Sequence, residues 1–102
     1  MSEAIEKLIS ELEYEYDQDE GFLGLLRDGH FDNLALDRFL RLLQSVDLVT
    51  GSSIDRRLVA LLWYVPLFMQ WQERRLSANQ QETLQTAINK VTSQLERILG
   101  VP

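Results

Sequence analysis

From Leu58 to Met69 the sequence runs for twelve residues without a polar side chain other than the tyrosine hydroxyl and indole nitrogen, and this run limits what the chain can become. It is too short for a membrane span, which needs about 18 to 20 apolar residues. It is also too long for a typical strand, so it reads as a helix that is apolar on all sides and therefore surrounded by the rest of the molecule. Pro66 lies inside it. Proline has no N–H to give the carbonyl four residues earlier, so the helix is expected either to kink there or to break and restart as Leu67 to Leu76. Ser52 or Ser53 is the expected N-cap, with the helix running from Ile54.

The flanking segments carry the partners such a helix needs. Ile5, Leu8, Ile9, Leu12 and Tyr16 recur at one-face helical spacing, which predicts a helix from about Glu3 to Tyr16 capped by Ser2. Phe22, Leu23, Leu25 and Leu26 suggest a short helix stopped by Gly29. Asp32 reads as the N-cap of a third helix with the stripe Leu36, Phe39, Leu40, Leu43 and Val46, closed by Thr50-Gly51-Ser52-Ser53. Phe31 and Leu36 are placed as a hydrophobic staple. Leu84, Ile88, Val91, Leu95 and Ile98 mark the last helix, opened by Ser77 with Gln80 or by Asn79 with Glu82, and closed by Gly100. No stretch alternates as a strand does. The fold class is therefore all-α: a single domain over residues 1–102, a compact bundle of about five helices around the apolar one.

With no cysteine, disulfides, thiolate catalysis and cysteine metal sites are excluded. The first residues lack a basic region, an apolar core and a cleavage site, so the chain reads as a cytoplasmic protein starting at its mature end. The one histidine, His30, sits in Asp28-Gly-His-Phe-Asp32, where Asp32 is wanted as a cap and Gly29 as a helix stop. Asp17, Asp19 and Asp28 match positions 1, 3 and 12 of a calcium loop, but Phe22 stands where that loop requires glycine. Arg56-Arg57 and Arg74-Arg75 could clamp an anion and also suit solvated helix ends. Trp63, Tyr64, Phe68, Met69 and Trp71 could line a ligand pocket, but read more simply as core. These readings name no catalytic residue, no metal and no cofactor, and the chain is expected not to be an enzyme.

Charge is the feature that structure does not absorb. The net charge is −6, yet residues 1–20 hold eight acids against Lys7, a net −7, while residues 21–102 carry +1. A field of that sign repels phosphate, so nucleic acid is not an expected ligand, and it attracts basic proteins. Acids near the end of the first helix also oppose its dipole. At 100° per residue Tyr14 projects away from the apolar stripe. The expected partner-binding surface is Glu6, Glu13, Tyr14, Asp17, Asp19 and Glu20, with the acids steering and the aromatic anchoring. The alternative is a merely solvated face.

Leu36-Asp-Arg-Phe-Leu-Arg-Leu-Leu43 and Ile54-Asp-Arg-Arg-Leu-Val-Ala-Leu-Leu-Trp-Tyr-Val-Pro-Leu-Phe-Met69 cover about a quarter of the chain. Through them, and through its size, acidity and lack of cysteine, the sequence resembles the small helical immunity proteins of bacterial contact-dependent growth inhibition systems. The resemblance implies a one-to-one complex that neutralises a cognate toxin, commonly a basic nuclease, inside the producing cell. Two other classes stay open: a regulatory or scaffold adaptor that dimerises through the apolar helix, and a small ligand binder or enzyme built on the tryptophan cluster.

Overall fold

A computed structural model describes residues 3–17, 19–47 and 53–101. Its elements in chain order are α1 (Glu3–Asp17), α2 (Phe22–Arg27), α3 (Asn33–Gln44), α4 (Arg56–Trp71), a short 3-10 turn (Glu73–Arg75) and α5 (Ala78–Leu99), with no strand among the described residues. The all-α bundle expected from periodicity is the observed architecture.

The helices close a ring of neighbours: α1 packs on α2 and α4, α4 on α5, α5 on α3, and α3 back on α2. Each brings one apolar stripe inward. On α4 this stripe is Leu58, Leu62, Val65 and Met69, on α3 it is Ala35, Leu36, Phe39 and Leu43, and on α5 it runs from Leu84 to Ile98. Phe22 and Phe39 stack with centroids 5.6 Å apart, tying α2 to α3 at the centre of the core.

The molecule measures 41 × 29 × 19 Å, and this overturns the expectation that α4 is surrounded. A helix with side chains is about 10 Å across, so the shortest dimension holds about two layers and α4 keeps an outward face. On α4 that face carries Trp63, Leu67 and Trp71, all exposed. Of the two outcomes expected at Pro66, a kink or a break, the break does not occur: the helix is continuous from Arg56 to Trp71, with Val65 and Met69, on either side of the proline, held in the same core. The 3-10 turn then takes up the residues expected to extend it.

The ends follow local chemistry. Asp32 caps α3, its carboxylate accepting from Ala35 N at 3.0 Å, and Ser77 and Gln80 form the reciprocal box that opens α5. Gly29 and Gly100 have φ of +85° and +89°, the left-handed conformation that ends α2 and α5. Two boundaries differ from expectation. α4 is capped by Asp55, which accepts from Arg57 N at 2.8 Å and Leu58 N at 3.3 Å, because a carboxylate one residue before the helix reaches both free amides. α3 ends at Gln44 rather than at residues 50–53, because Arg97 of α5 donates to the carbonyls of Leu43 (2.9 Å) and Val46 (3.0 Å) and holds the chain out of helical register. Ser2 and the 50–52 stretch lie outside the described residues.

The turn between α1 and α2 depends on Gly21. A Cβ there would stand 2.5 Å from the carbonyl oxygen of Tyr14 and 2.6 Å from that of Glu15, both backbone atoms, so the crossing of the two helices leaves no room for a side chain.

Candidate functional site

Three of the eight acids in residues 1–20 are engaged within the molecule. Glu15 is buried; its carboxylate accepts from Arg38 at 2.7 and 3.0 Å and from the amide of Phe22 at 2.8 Å, the first residue of α2. It thus caps α2 from another helix and fixes α3 against α1. The hydrogen bond to Glu15 pushes the Arg38 guanidinium above its ordinary range, against a smaller opposing effect of burial. Glu13 pairs with Arg57 of α4, and Glu11 with Lys7 one turn away at 3.8 Å.

The side chains of Glu3, Glu6, Asp17, Asp19 and Glu20 are exposed and form no ion pair among the described residues. Asp17, Asp19 and Glu20 stand together where α1 ends. Arg27 reaches this end, donating to the carbonyl of Tyr16 at 3.3 Å. Of the six residues expected to form one binding surface, four are therefore open acids (Glu6, Asp17, Asp19 and Glu20), while Glu13 is tied to α4. Tyr14, one turn before Asp17 on α1, lines a different groove from it. It is 40% exposed, but its ring sits under the Arg38 guanidinium, 5.7 Å from the centroid, in a groove between α1 and α3 that also holds Lys7 and Arg41.

The aromatic groups beside that cluster come from α4 instead. A groove of about 570 Å³ between α1 and α4 is lined by Asp17 and Glu13 on one side and Tyr64, Phe68 and Trp71 on the other, with Arg27 and Arg57 at its edge. Tyr16 closes its floor: its hydroxyl donates to the carbonyl of Leu61 at 2.8 Å, and its ring meets Phe68 edge-to-face at 5.7 Å. Burial, and secondarily the nearby Tyr64 phenol, push the Tyr16 hydroxyl well above its ordinary range. Tyr64 also makes edge-to-face contacts with Trp63 (5.7 Å) and Trp71 (5.5 Å), an aromatic ladder that runs from the groove along the outer side of α4. Trp63 is 51% and Trp71 59% exposed, so these residues are surface and only Met69 of the sequence cluster is fully core. The signal was available in the sequence: Trp63, Leu67 and Trp71 recur every four residues, on a line distinct from Leu58, Leu62, Val65 and Met69.

The other candidates are separated. His30 is exposed, with Asp28 ending α2 and Asp32 committed to its cap. Arg56-Arg57 open α4 and Arg74-Arg75 lie in the 3-10 turn beyond its other end; the 16-residue helix between them is roughly 24 Å long at 1.5 Å per residue, too far to grip one anion. Among the described residues, no helix is long and apolar enough to cross a membrane.

Scans of the chain against protein-family models, curated proteins and solved structures found no match.

Proposed function

We propose that this chain is an immunity-type protein, acting without catalysis or cofactor, that neutralises a partner protein by covering a basic surface with the acidic end of α1. The observation that supports the reading is that Asp17, Asp19 and Glu20 are exposed and form no ion pair among the described residues. At the end of a helix, carboxylates face the negative pole of the helix dipole, so they lower the stability of the free protein. Three carboxylates within four residues present negative oxygens much as a run of phosphates does, and match a cleft built to hold nucleic acid. The resemblance to contact-dependent growth inhibition immunity proteins supplies the partner class: a cognate toxin domain, commonly a basic nuclease, met in the cytoplasm of the producing cell.

The test is binding to the toxin domain encoded beside this chain, titrated calorimetrically at several salt concentrations, together with rescue of growth when the two are co-expressed. Tight binding that weakens with salt is expected. Reversal of Asp17, Asp19 and Glu20 to lysine is expected to lower affinity by about a hundredfold or more, the scale set by several lost charge pairs. Glu13 is left intact, since its reversal would also break the pair with Arg57. Unchanged affinity in the triple variant removes this surface from the mechanism, and absence of both binding and rescue removes the immunity reading.

A further inference from the structure

Six large apolar side chains are exposed among the described residues, and three of them, Trp63, Leu67 and Trp71, lie on one line of α4. They span two turns, with Tyr64 half-buried between the indoles and Ala60 and Gln70 exposed beside them. From Leu58 to Gln72 the sequence has no charged residue, so the line is neutral over its whole length.

We propose that this stripe docks a second copy of the chain, giving a two-fold homodimer packed α4 against α4. Charge decides between occupants. A chain of net charge −6 repels its own copies wherever its acids face outward, and can self-associate only through a neutral face. Only Trp71, at one end of the stripe, shares a groove with an open acid, Asp17, while Trp63 and Leu67 line no groove with one, so most of the stripe offers a basic partner no charge to meet. The area is consistent with a second copy. Two half-exposed tryptophans contribute roughly 200 to 250 Å². With Leu67 and the residues beside it the stripe offers about 500 Å² per copy, or about 1,000 Å² in a pair, at the lower edge of specific interfaces. An interface of this size is expected to be weak and reversible. The inference is independent of the proposed function, since it uses none of the acids.

Trp63 and Trp71 are the only tryptophans of the chain, so its intrinsic fluorescence reports on this face. Sedimentation from about 1 to about 300 μM, spanning the affinity of a low-area interface, is expected to move from monomer toward dimer mass. Tryptophan emission should shift to the blue over the same range. Leu67→Glu, at a position 39% exposed, is expected to stay monomeric with an unchanged helical spectrum. Trp71→Glu serves as a second variant should the first lose its helicity. Glu6→Lys, at an exposed position of α1 outside the groove that holds Trp71, is expected to keep the dimer. A wild-type protein monomeric at the highest concentration overturns the inference. So does a dimer that forms without the emission shift or survives in a folded Leu67→Glu or Trp71→Glu variant, since either places the contact elsewhere.

Discussion

Glu15 belongs to the acidic count in the sequence and to the core in the structure. Nothing within α1 distinguishes it from Glu11 or Glu13, because its partners are an amide seven residues on and a guanidinium twenty-three residues on. Replacing it with alanine strips the buried Phe22 amide of its acceptor and opens space beneath Arg38, and is expected to cost about 2 to 3 kcal/mol. Glutamine keeps an acceptor and should cost about 1 kcal/mol; urea denaturation midpoints of the two variants check the order. Equal losses would mean that the charge, rather than the hydrogen bond to α2, is what matters. Tyr16 is a second case of long-range pairing, and it carries a pH signature. Its hydroxyl is held neutral above the ordinary phenol range, so above about pH 10 the unfolded chain has released a proton that the folded one keeps. Its contribution is therefore constant below about pH 10 and falls as pH rises beyond it. Tyr16→Phe is expected to lose about 1 kcal/mol at neutral pH with the Leu61 hydrogen bond, and to lose stability less steeply than wild type in alkaline thermal melts. Caps, by contrast, are local, and Asp32 and the Ser77-Gln80 pair were legible because donor and acceptor lie within three residues.

At the scale of elements, the inward stripes of α3, α4 and α5 were legible because periodicity records which side of a helix avoids water. Periodicity does not record how many neighbours a helix has. The Leu58 to Met69 run carries enough apolar surface to be surrounded, yet a bundle 19 Å thick has no third layer to supply the cover. The ladder of Trp63, Tyr64 and Trp71 therefore stands at the surface although the run reads as core, and the groove that holds Asp17 takes Tyr64, Phe68 and Trp71 from a helix forty or more residues away, which no pattern within α1 records. The early end of α3 escaped for a similar reason, since the Arg97 that holds it is over fifty residues distant in sequence. Pro66 gives this scale its prediction. It sits inside a continuous helix where a proline costs up to about 3 kcal/mol relative to alanine, partly offset by about 1 kcal/mol from the stiffer unfolded chain. Pro66→Ala restores the missing donor to the Leu62 carbonyl and is expected to raise stability by about 1 to 2 kcal/mol. A lower Tm in the variant would mean that the proline ring itself is needed where α4 packs against α1 and α5.

For the whole molecule, the decisive property is that its charge is unevenly placed and mostly unanswered. Pairing takes Glu11, Glu13 and Glu15 out of the acidic N-terminal segment and leaves Glu3, Glu6, Asp17, Asp19 and Glu20 facing solvent. These groups repel one another, and Asp17, the last residue of α1, also opposes the helix dipole. A surface selected for stability alone would mix its signs. Asp17→Lys is therefore expected to stabilise the free protein by about 0.5 to 1 kcal/mol, through relief of repulsion and a favourable charge at the helix end. Salt at about 0.5 M shortens the screening length to a few ångströms, so it should raise the Tm of wild type more than that of the variant. Measuring both, and then the affinity of the same variant for a basic partner, separates two accounts of the acids. If Asp17→Lys is more stable and binds less well, the carboxylates are held against the interest of the fold and in the service of a contact. If it is less stable, they belong to the architecture of the α1–α2 corner as Glu15 does, and the binding surface must be sought on another face.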